Sequence, residues 1–422
     1  MKIEAESKHY KWVMLGLLSV TYFLMQSTRQ IFNASLPQIK LGLVGPDATS
    51  EVDAQLGLSR TIFLFSYGLM VPFAGIAADF LRRKWVIVLG AAFFGASVFF
   101  TGFADSLLMF FVFYGLLNGV GQCMIPGPAS SLIAQYHHET RSTALSIYQS
   151  ALYIGMLTAS MLGGYLGGLS HDGWRWAFWG FGAVSLLWTV LLAALLRNTP
   201  PVHDSAAAAD KPRFTEALGA FCSKPSAWLV MFAFGMLVFG SNCFRTWMPA
   251  YMQRNPDWNL TPASAGFHSV FWYYLGSFGG IAAGAWISDK LSRSRPGIRF
   301  LVMAVGMAVA APAMVLMVEL PMLWMSCAAM FVFGVANGCF DCNIYAGLFD
   351  VVAPRYRSVS MGIYICGAFL IGCPATAVLG WVGHHYSLGF GMAIFGSTYA
   401  IGAIALFLAR FVFFSKDKVD GS

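Results

Sequence analysis

The sequence predicts an all-α membrane protein with twelve transmembrane helices in two pseudo-symmetric six-helix bundles. Of its 422 residues, 58% are hydrophobic and only 11% are charged, with a mean hydropathy of +0.65; soluble domains carry roughly 25% charge. A helix needs about 20 residues to cross a ~30 Å hydrocarbon core, and many uncharged stretches are at least that long. The two halves of the chain also repeat one another's local patterns.

The twelve predicted helices are numbered here in chain order. They cover residues 12–37, 60–80, 85–104, 107–134, 143–168, 174–196, 226–252, 263–287, 298–319, 322–350, 358–382 and 388–413.

The distribution of basic residues predicts the orientation of these helices, because loops rich in Lys and Arg stay in the cytoplasm. With both termini inside, 20 Lys and Arg residues are cytoplasmic and only Lys40, Arg60, Arg175 and Arg254 are external. We therefore expect a multi-pass protein of a bacterial inner membrane with both termini in the cytoplasm. The same bias explains the net charge of +7, so no nucleic-acid partner is predicted.

The repeat is visible at matching places in the two halves. Predicted helices 1 and 7 both end in a segment whose last residue is proline, at 33–37 and 245–249. A short basic segment carrying one Asp lies at the end of helix 2 and of helix 8, at 75–84 and 285–293. Parallel repeats of this kind place a transport site at the interface between the halves. The predicted parts are an N-terminal bundle at 1–197, a cytoplasmic linker at 198–225 and a C-terminal bundle at 226–422.

Charged residues inside the predicted helices indicate the ligand. Only two of the 26 Lys and Arg residues, Arg29 and Arg245, fall within apolar segments, and the one carboxylate stranded with them is Asp341. A buried cation is costly unless it has a partner, so such residues are usually functional. The excess positive charge predicts an anionic substrate, and a guanidinium suits carboxylate, sulfonate or phosphate. Snorkelling or a structural ion pair is the alternative for Arg29, and snorkelling or a gating ion pair is the alternative for Arg245, which lies nearer the interface.

Other polar or aromatic side chains in the same helices are candidate substrate ligands, although packing is the alternative for each. They are Gln26, Tyr67, Gln122, Tyr148, Tyr153, Trp272, Tyr274 and Asn337.

Two residues are candidates for proton coupling or charge balance. Asp341 either pairs with an arginine or carries a proton. His268, in helix 8, titrates near neutral pH if it is functional, and a structural role is its alternative.

A cytoplasmic gate is predicted where helices 2 and 8 end. Asp79 and Asp289 lie beside basic segments, and we expect them to lock the cytoplasmic ends of the helices in the outward-facing state. The basic residues assigned to the gate are Arg82, Arg83, Arg141, Lys290, Arg293 and Arg357, of which Arg141 and Arg357 are candidate partners for the two carboxylates.

Four motifs together resemble the loop signatures of the major facilitator superfamily, over essentially the whole chain. They are Gly75-Ile-Ala-Ala-Asp79-Phe-Leu-Arg82-Arg83-Lys84, Glu139-Thr-Arg141-Ser-Thr-Ala-Leu-Ser-Ile, Gly173-Trp-Arg-Trp-Ala-Phe-Trp179 and Ala353-Pro-Arg-Tyr-Arg-Ser-Val-Ser-Met-Gly362. Arg82 stands where a second Gly is usual, and Phe80 where a basic residue is usual.

Helix 1 carries a closer resemblance. Ser27-Thr28-Arg29-Gln-Ile-Phe-Asn-Ala, followed by Leu36-Pro37, is similar to the first helix of the organophosphate:phosphate antiporters and the anion:cation symporters. In those groups an arginine at this position binds phosphate or carboxylate, which implies the same role for Arg29. The antiporters carry a second arginine where this chain has Ser241, and sugar-acid symporters often have Asp where it has Thr28.

These observations predict a secondary active transporter of a small organic anion, a carboxylate, sulfonate or phosphate ester, working by alternating access. Proton-coupled symport is the first expectation and antiport the alternative; a transporter-like anion sensor is a further one. We expect a monomer whose partners are the anion, a proton or counter-anion, and lipid. No enzyme activity, cofactor or metal is predicted, since there is no P-loop and only His137-His138-Glu139 comes near a catalytic set.

Overall fold

The computed structural model describes residues 7–45, 51–80, 82–137, 140–197, 214–292 and 295–419, and all regular structure within them is helical. The chain forms two compact units. One comprises Met1–Val202 with Leu260–Phe267, and the other comprises His203–Asn259 with His268–Ser422. Most of the predicted linker, residues 198–213, lies outside the described residues.

The helices of the N-terminal half, with one π-helical segment, follow one another without strands. They are α1 Ser7–Ala34, α2 Leu36–Val44, α3 Glu51–Phe80, α4 Arg83–Thr101, α5 Leu107–Phe110, the π segment Phe111–Leu117, α6 Asn118–Cys123, α7 Pro126–Tyr136, α8 Arg141–Leu169 and α9 Gly173–Leu195.

The rest of the chain is built in the same way. It comprises α10 Phe214–Cys222, α11 Pro225–Arg254, α12 Pro262–Ser292, α13 Ile298–Glu319, α14 Leu323–Asp341, α15 Ile344–Phe349, a 3-10 turn Pro354–Tyr356, α16 Arg357–Gly372, α17 Ala375–His385, α18 Leu388–Leu408, a second π segment Ala409–Phe413 and α19 Phe414–Asp417.

The predicted all-α membrane fold is confirmed. Within the described residues, nine helical stretches are long and apolar enough to cross a membrane. They match predicted helices 3 to 7 and 9 to 12. Predicted helices 1, 2 and 8 correspond to α1, α3 and α12, which have 28, 30 and 31 residues. The count of twelve crossings stays a prediction.

Several predicted helices are interrupted rather than continuous. Helix 1 breaks at Ser35, helix 4 before Pro126, helix 10 at Asn343 and helix 11 at Pro374. Proline explains the breaks at residues 126 and 374, because it has no N–H to donate and clashes with the preceding turn. The π segment in helix 4 is also an irregularity of a kind often found at functional sites.

The start of α3 corrects the placing of Arg60. From the sequence this residue is expected at the external end of predicted helix 2, as its first residue, but α3 begins at Glu51, and Arg60 lies within the helix with only 5% of its surface exposed. Glu51 and Asp53 favour the earlier start because acidic groups stabilise the first turn of a helix. Asp53 also pairs with Lys40 of α2 at 3.2 Å. Arg60 is therefore a buried arginine within a helix, which the sequence reading had placed at a helix end.

Glycines allow α6 and the π segment to lie close against α3. A Cβ atom at Gly119 would stand 2.7 Å from the backbone oxygen of Phe63, and one at Gly115 would stand 3.0 Å from the side chain of Ile62. The first contact is too short for any Cβ because its partner is backbone, and the second would require the side chain of Ile62 to shift. The close approach brings Tyr114 and Gln122, which flank these glycines, towards α1 and α3.

Candidate functional site

Arg29 of α1 is held by one amide and two aromatic rings. Its Nε donates a hydrogen bond to Oε1 of Gln122. Its guanidinium carbon Cζ lies 5.0 Å from the ring centre of Phe63 and 4.9 Å from that of Tyr67, both on α3. Cations at this range are attracted to the faces of aromatic rings. Three helical segments thus fix the position of one guanidinium.

Gln122 is itself fixed by its neighbours. Because arginine only donates hydrogen bonds, the amide oxygen of Gln122 must face Arg29. Its Nε2 is then free to donate, and it lies 2.9 Å from Oδ1 of Asn118 and 3.1 Å from Oγ1 of Thr28. The amide therefore has a defined orientation, and its oxygen in turn orients the guanidinium of Arg29.

One donor of Arg29 is left over. In the described part of the chain, its Nη2 is buried and has no hydrogen-bond partner. Leaving a buried donor unpaired costs about 1–3 kcal/mol, and more when the group is charged. Two other predicted ligands in this half also have unsatisfied buried oxygens among the described residues, Oε1 of Gln26 and the hydroxyl of Tyr148.

The remaining predicted ligands of this half lie on α3 and α8. Tyr148 is buried, and its ring stacks on Tyr22 with the ring centres 4.4 Å apart. It also lies within electrostatic range of Tyr67. Tyr153 is half-buried on α8. Within the described residues, Gln122 and Tyr67 are thus the predicted ligands of this half that contact Arg29.

Arg60 is the site residue that the sequence reading missed. Its guanidinium carbon lies 4.7 Å from the ring centre of Phe63, and its Nη1 lies 3.4 Å from the hydroxyl of Tyr114. A signal was present in the sequence, since Arg60, Phe63 and Tyr67 are spaced three and seven residues apart. That spacing puts the three side chains on one face of a helix.

The C-terminal half holds the second predicted cation. Arg245 lies in α11, and its Nε donates to the backbone oxygen of Ser241, one turn earlier, at 3.1 Å. It also hydrogen-bonds Tyr274 of α12 and is within electrostatic range of Asp341, the last residue of α14. Among the described ion pairs, none joins Arg245 directly to Asp341. The two charges therefore attract each other without direct contact.

Other predicted ligands of the C-terminal half are engaged with protein partners. Asn337 donates to the backbone oxygen of Phe333 at 2.8 Å and accepts from the hydroxyl of Tyr399 at 3.2 Å. Trp272 donates from Nε1 to Nδ1 of His268 at 3.1 Å. His268 therefore accepts this hydrogen bond at Nδ1, so that nitrogen carries no proton.

Those residues of the predicted gate that the structure describes contact neighbours in their own half of the chain. Nη1 of Arg83 donates to Oε1 of Gln135 at 3.0 Å, and Nη2 of Arg357 donates to the backbone oxygen of Phe349 at 3.0 Å. Lys290 lies 4.7 Å from the ring of Trp286. Arg82 and Asp289 are exposed. Arg293 lies outside the described residues, as do the side chains of Asp79 and Arg141.

The sequence reading also missed an ion pair near Arg357, one of the residues predicted to form the gate. Arg299, in the first turn of α13, pairs with Asp350, which follows α15, at 2.5 Å. Elsewhere in the described ranges, no group of three or more His, Cys, Asp or Glu side chains is placed to hold a metal ion.

Comparison with known proteins gives a consistent family. A family model described as Major Facilitator Superfamily matches residues 18–375. The chain is 24% identical over 351 residues to "Probable anion transporter 1, chloroplastic" of Oryza sativa subsp. japonica, across 79% of this chain and 65% of the relative. It thus spans slightly less than two thirds of that relative's length.

Two further likenesses bear on function and fold. "Membrane sensor protein UhpC" of Escherichia coli (strain K12) is 25% identical over 337 residues, which cover 75% of this chain and 73% of the relative. A crystal structure of a bacterial homolog to the human lysosomal transporter Spinster, inward-facing and unoccupied, superposes with a TM-score of 0.84 at 20% identity, over 99% of this chain and 100% of that one. At this identity the likeness concerns the fold alone.

Proposed function

Because the chain belongs to the Major Facilitator Superfamily, we propose that it is a secondary active transporter that moves a small organic anion across the membrane by alternating access. The observation that carries this proposal is Arg29, which is held by Gln122, Phe63 and Tyr67 while its Nη2 is buried without a hydrogen-bond partner among the described residues. An anionic oxygen supplies the acceptor that this N–H lacks. Carboxylates, sulfonates and phosphate esters all present one.

The relatives support the same class of substrate. A plant relative is named an anion transporter, and the alignment with it covers most of this chain. Carriers of this superfamily are not enzymes, which agrees with the expectation that this chain catalyses no reaction. We place the protein in a bacterial inner membrane as a monomer with both termini in the cytoplasm.

Asp341 and Arg245 supply a means of coupling to protons. The carboxylate attracts Arg245 within the same half of the chain. Protonation of Asp341 removes that attraction and leaves the guanidinium of Arg245 to bind an anion. Entry of a proton and entry of the anion are then linked, which is symport. If Asp341 keeps its charge throughout the cycle, exchange of one anion for another becomes the mode of transport.

A second candidate is an anion sensor that binds its ligand and signals through a partner. The observation that favours it is the likeness to a bacterial protein named as a membrane sensor. A sensor binds the anion but does not move it, so binding and uptake measured on the same preparation separate the two candidates.

The test starts from purified full-length protein. Thermal unfolding is followed with panels of organic phosphates, sugar acids, sulfonates and dicarboxylates, and every ligand that stabilises the protein is then offered to proteoliposomes with and without a pH gradient. We expect at least one anion to raise the unfolding midpoint, because a ligand that binds only the folded state stabilises it. We also expect its uptake to follow the gradient. Binding without uptake would favour the sensor, and no stabilisation by any anion would contradict both candidates.

A further inference from the structure

Three buried polar groups of the N-terminal half have no hydrogen-bond partner among the described residues. They are Nη2 of Arg29, Oε1 of Gln26 and the hydroxyl of Tyr148. Gln26 and Tyr148 each expose only 3% of their surface. Buried polar groups in native proteins are nearly always hydrogen-bonded. The proposed function gives a partner to Arg29 alone, so the other two groups still need an explanation.

The three groups lie near one another on the side of α1 that faces α8 and α3. Gln26 follows Tyr22 by four residues and precedes Arg29 by three, so these side chains share one face of α1. The ring of Tyr148 stacks on that of Tyr22, with the ring centres 4.4 Å apart. Tyr148 is also within electrostatic range of Tyr67, whose ring centre is 4.9 Å from the guanidinium carbon of Arg29. Gln26 and Tyr148 therefore lie beside the proposed anion-binding arginine.

The unpaired atoms of Gln26 and Tyr148 call for a neutral partner. An amide oxygen only accepts hydrogen bonds, and so does an ionised carboxylate, sulfonate or phosphate; the anionic group therefore cannot satisfy Gln26. A hydroxyl group both donates and accepts, so a hydroxyl on the ligand can donate to the amide oxygen or pair with the phenol. An alkyl chain in the same place leaves both groups unpaired, which costs free energy.

We propose that Gln26 and Tyr148 form a hydroxyl-binding subsite beside Arg29, so that the protein favours anions that carry a hydroxyl group over alkyl anions of the same charge. The inference rests on the proposed function and deepens it, because it specifies the neutral part of the ligand. Side chains three residues apart on a helix have Cβ atoms about 5–6 Å apart, so the hydroxyl lies within a few bonds of the anionic group.

The experiment compares anions that have the same charge and differ in their hydroxyl groups. Full-length protein in detergent is titrated calorimetrically, at one pH, with glycerate against propionate, 2-hydroxyethanesulfonate against ethanesulfonate, and glycerol 3-phosphate against propyl phosphate. We expect the wild type to bind the hydroxylated member of at least one pair about tenfold more tightly than its alkyl partner. Tyr148→Phe and Gln26→Met should each bring that ratio closer to unity.

The stability of the ligand-free variants separates ligand binding from a structural role. Tyr148→Phe and Gln26→Met keep most of the side-chain volume and remove a polar group that has no partner among the described residues. Removal of an unpaired buried group does not weaken the fold, so we expect unfolding midpoints at least as high as that of the wild type. A lower midpoint in both variants would show that these groups are already satisfied without ligand and would contradict the subsite.

Tyr251→Phe is the matched control. It removes a tyrosine hydroxyl that donates to the backbone oxygen of Val318 at 2.7 Å in the C-terminal half. Because this hydroxyl has a partner within the protein, its loss should lower the unfolding midpoint. The ratio of affinities within each pair of anions should stay as in the wild type.

The outcomes distinguish this inference from the function on which it rests. If every alkyl anion binds as tightly as its hydroxylated partner, the subsite is wrong, although anion binding through Arg29 stands; this comparison needs only the wild type. The subsite is equally wrong if folded Tyr148→Phe and Gln26→Met both keep the wild-type ratio. If the hydroxylated anions bind but Arg29→Ala changes nothing, the proposed function fails at Arg29 and the subsite with it. A wild type that binds none of the six anions contradicts the inference, and the proposed function also fails if no anion of the screen stabilises the protein.

Discussion

Nε of Arg29 donates a hydrogen bond to Oε1 of Gln122, and this bond joins the first predicted helix to the fourth. Gln122 is a neutral acceptor, so it orients the guanidinium without cancelling its charge. A carboxylate at the same place would do both. The choice of an amide here keeps Arg29 positioned and still able to attract an anion.

Gln122→Glu should therefore weaken anion binding more than Gln122→Leu. The new carboxylate would pair with Arg29 and compete with the ligand, while leucine only releases the guanidinium. We expect the glutamate variant to lose more than about tenfold in affinity. Calorimetric titration of both variants with the strongest ligand from the anion screen measures the difference. Equal losses would mean that Gln122 acts through packing alone.

The close approach of α6 to α3 should be sensitive to one added methyl group. Gly119→Ala would put a Cβ 2.7 Å from the backbone oxygen of Phe63, and overpacking of this kind costs about 1–3 kcal/mol. We expect a lower unfolding midpoint and weaker anion binding, because Gln122 moves with α6. Gly127→Ala is the control, since nothing lies within 4 Å of its added Cβ. A Gly119→Ala protein as stable as this control would show that the two helices can separate freely.

Asp341→Asn should separate accumulation from exchange. If protonation of Asp341 releases Arg245, the amide mimics the protonated state permanently, and a pH gradient no longer drives uptake. Exchange of labelled for unlabelled anion across the proteoliposome membrane should persist, because it needs no net proton movement. Normal accumulation by Asp341→Asn in response to the gradient would leave the residue as a structural partner and favour antiport.

The gate carboxylates should affect the rate of transport more than affinity. Asp79→Asn and Asp289→Asn remove the charges that are predicted to hold the cytoplasmic ends together when the site faces outward. Uptake into proteoliposomes should slow strongly while calorimetric affinity changes little. Loss of equilibrium binding with an unchanged conformational balance would remove the gate assignment.

The sequence predicted the general character of the molecule because membrane burial leaves a strong pattern. Long apolar segments predict helices, and a cation within one of them, such as Arg29 or Arg245, is conspicuous. Gln122 was predicted as a separate candidate. Its contact with Arg29 joins residues 93 positions apart in the chain, and no local pattern encodes such a pairing.

Arg60 was missed for a physical reason that can be named. Glu51, Asp53 and Gly57 make the start of α3 look like a polar loop, so the predicted helix began at residue 60 and placed the arginine at its edge. The helix in fact begins before its apolar part. It has 30 residues, and at 1.5 Å per residue it is about 45 Å long, which is longer than its apolar part alone. Length and hydropathy alone do not show where such a helix begins.

Binding of the strongest ligand from the anion screen to wild type, Arg29→Lys and Arg29→Ala tests anion recognition by Arg29 most directly. Lysine keeps the charge but lacks the planar fork of the guanidinium, so we expect it to lose about tenfold in affinity and alanine to lose more. Arg254→Ala, at the last residue of α11, is the control and should bind as the wild type does. Folded, monodisperse Arg29→Ala that binds the anion within about twofold of the wild type would contradict the role of Arg29.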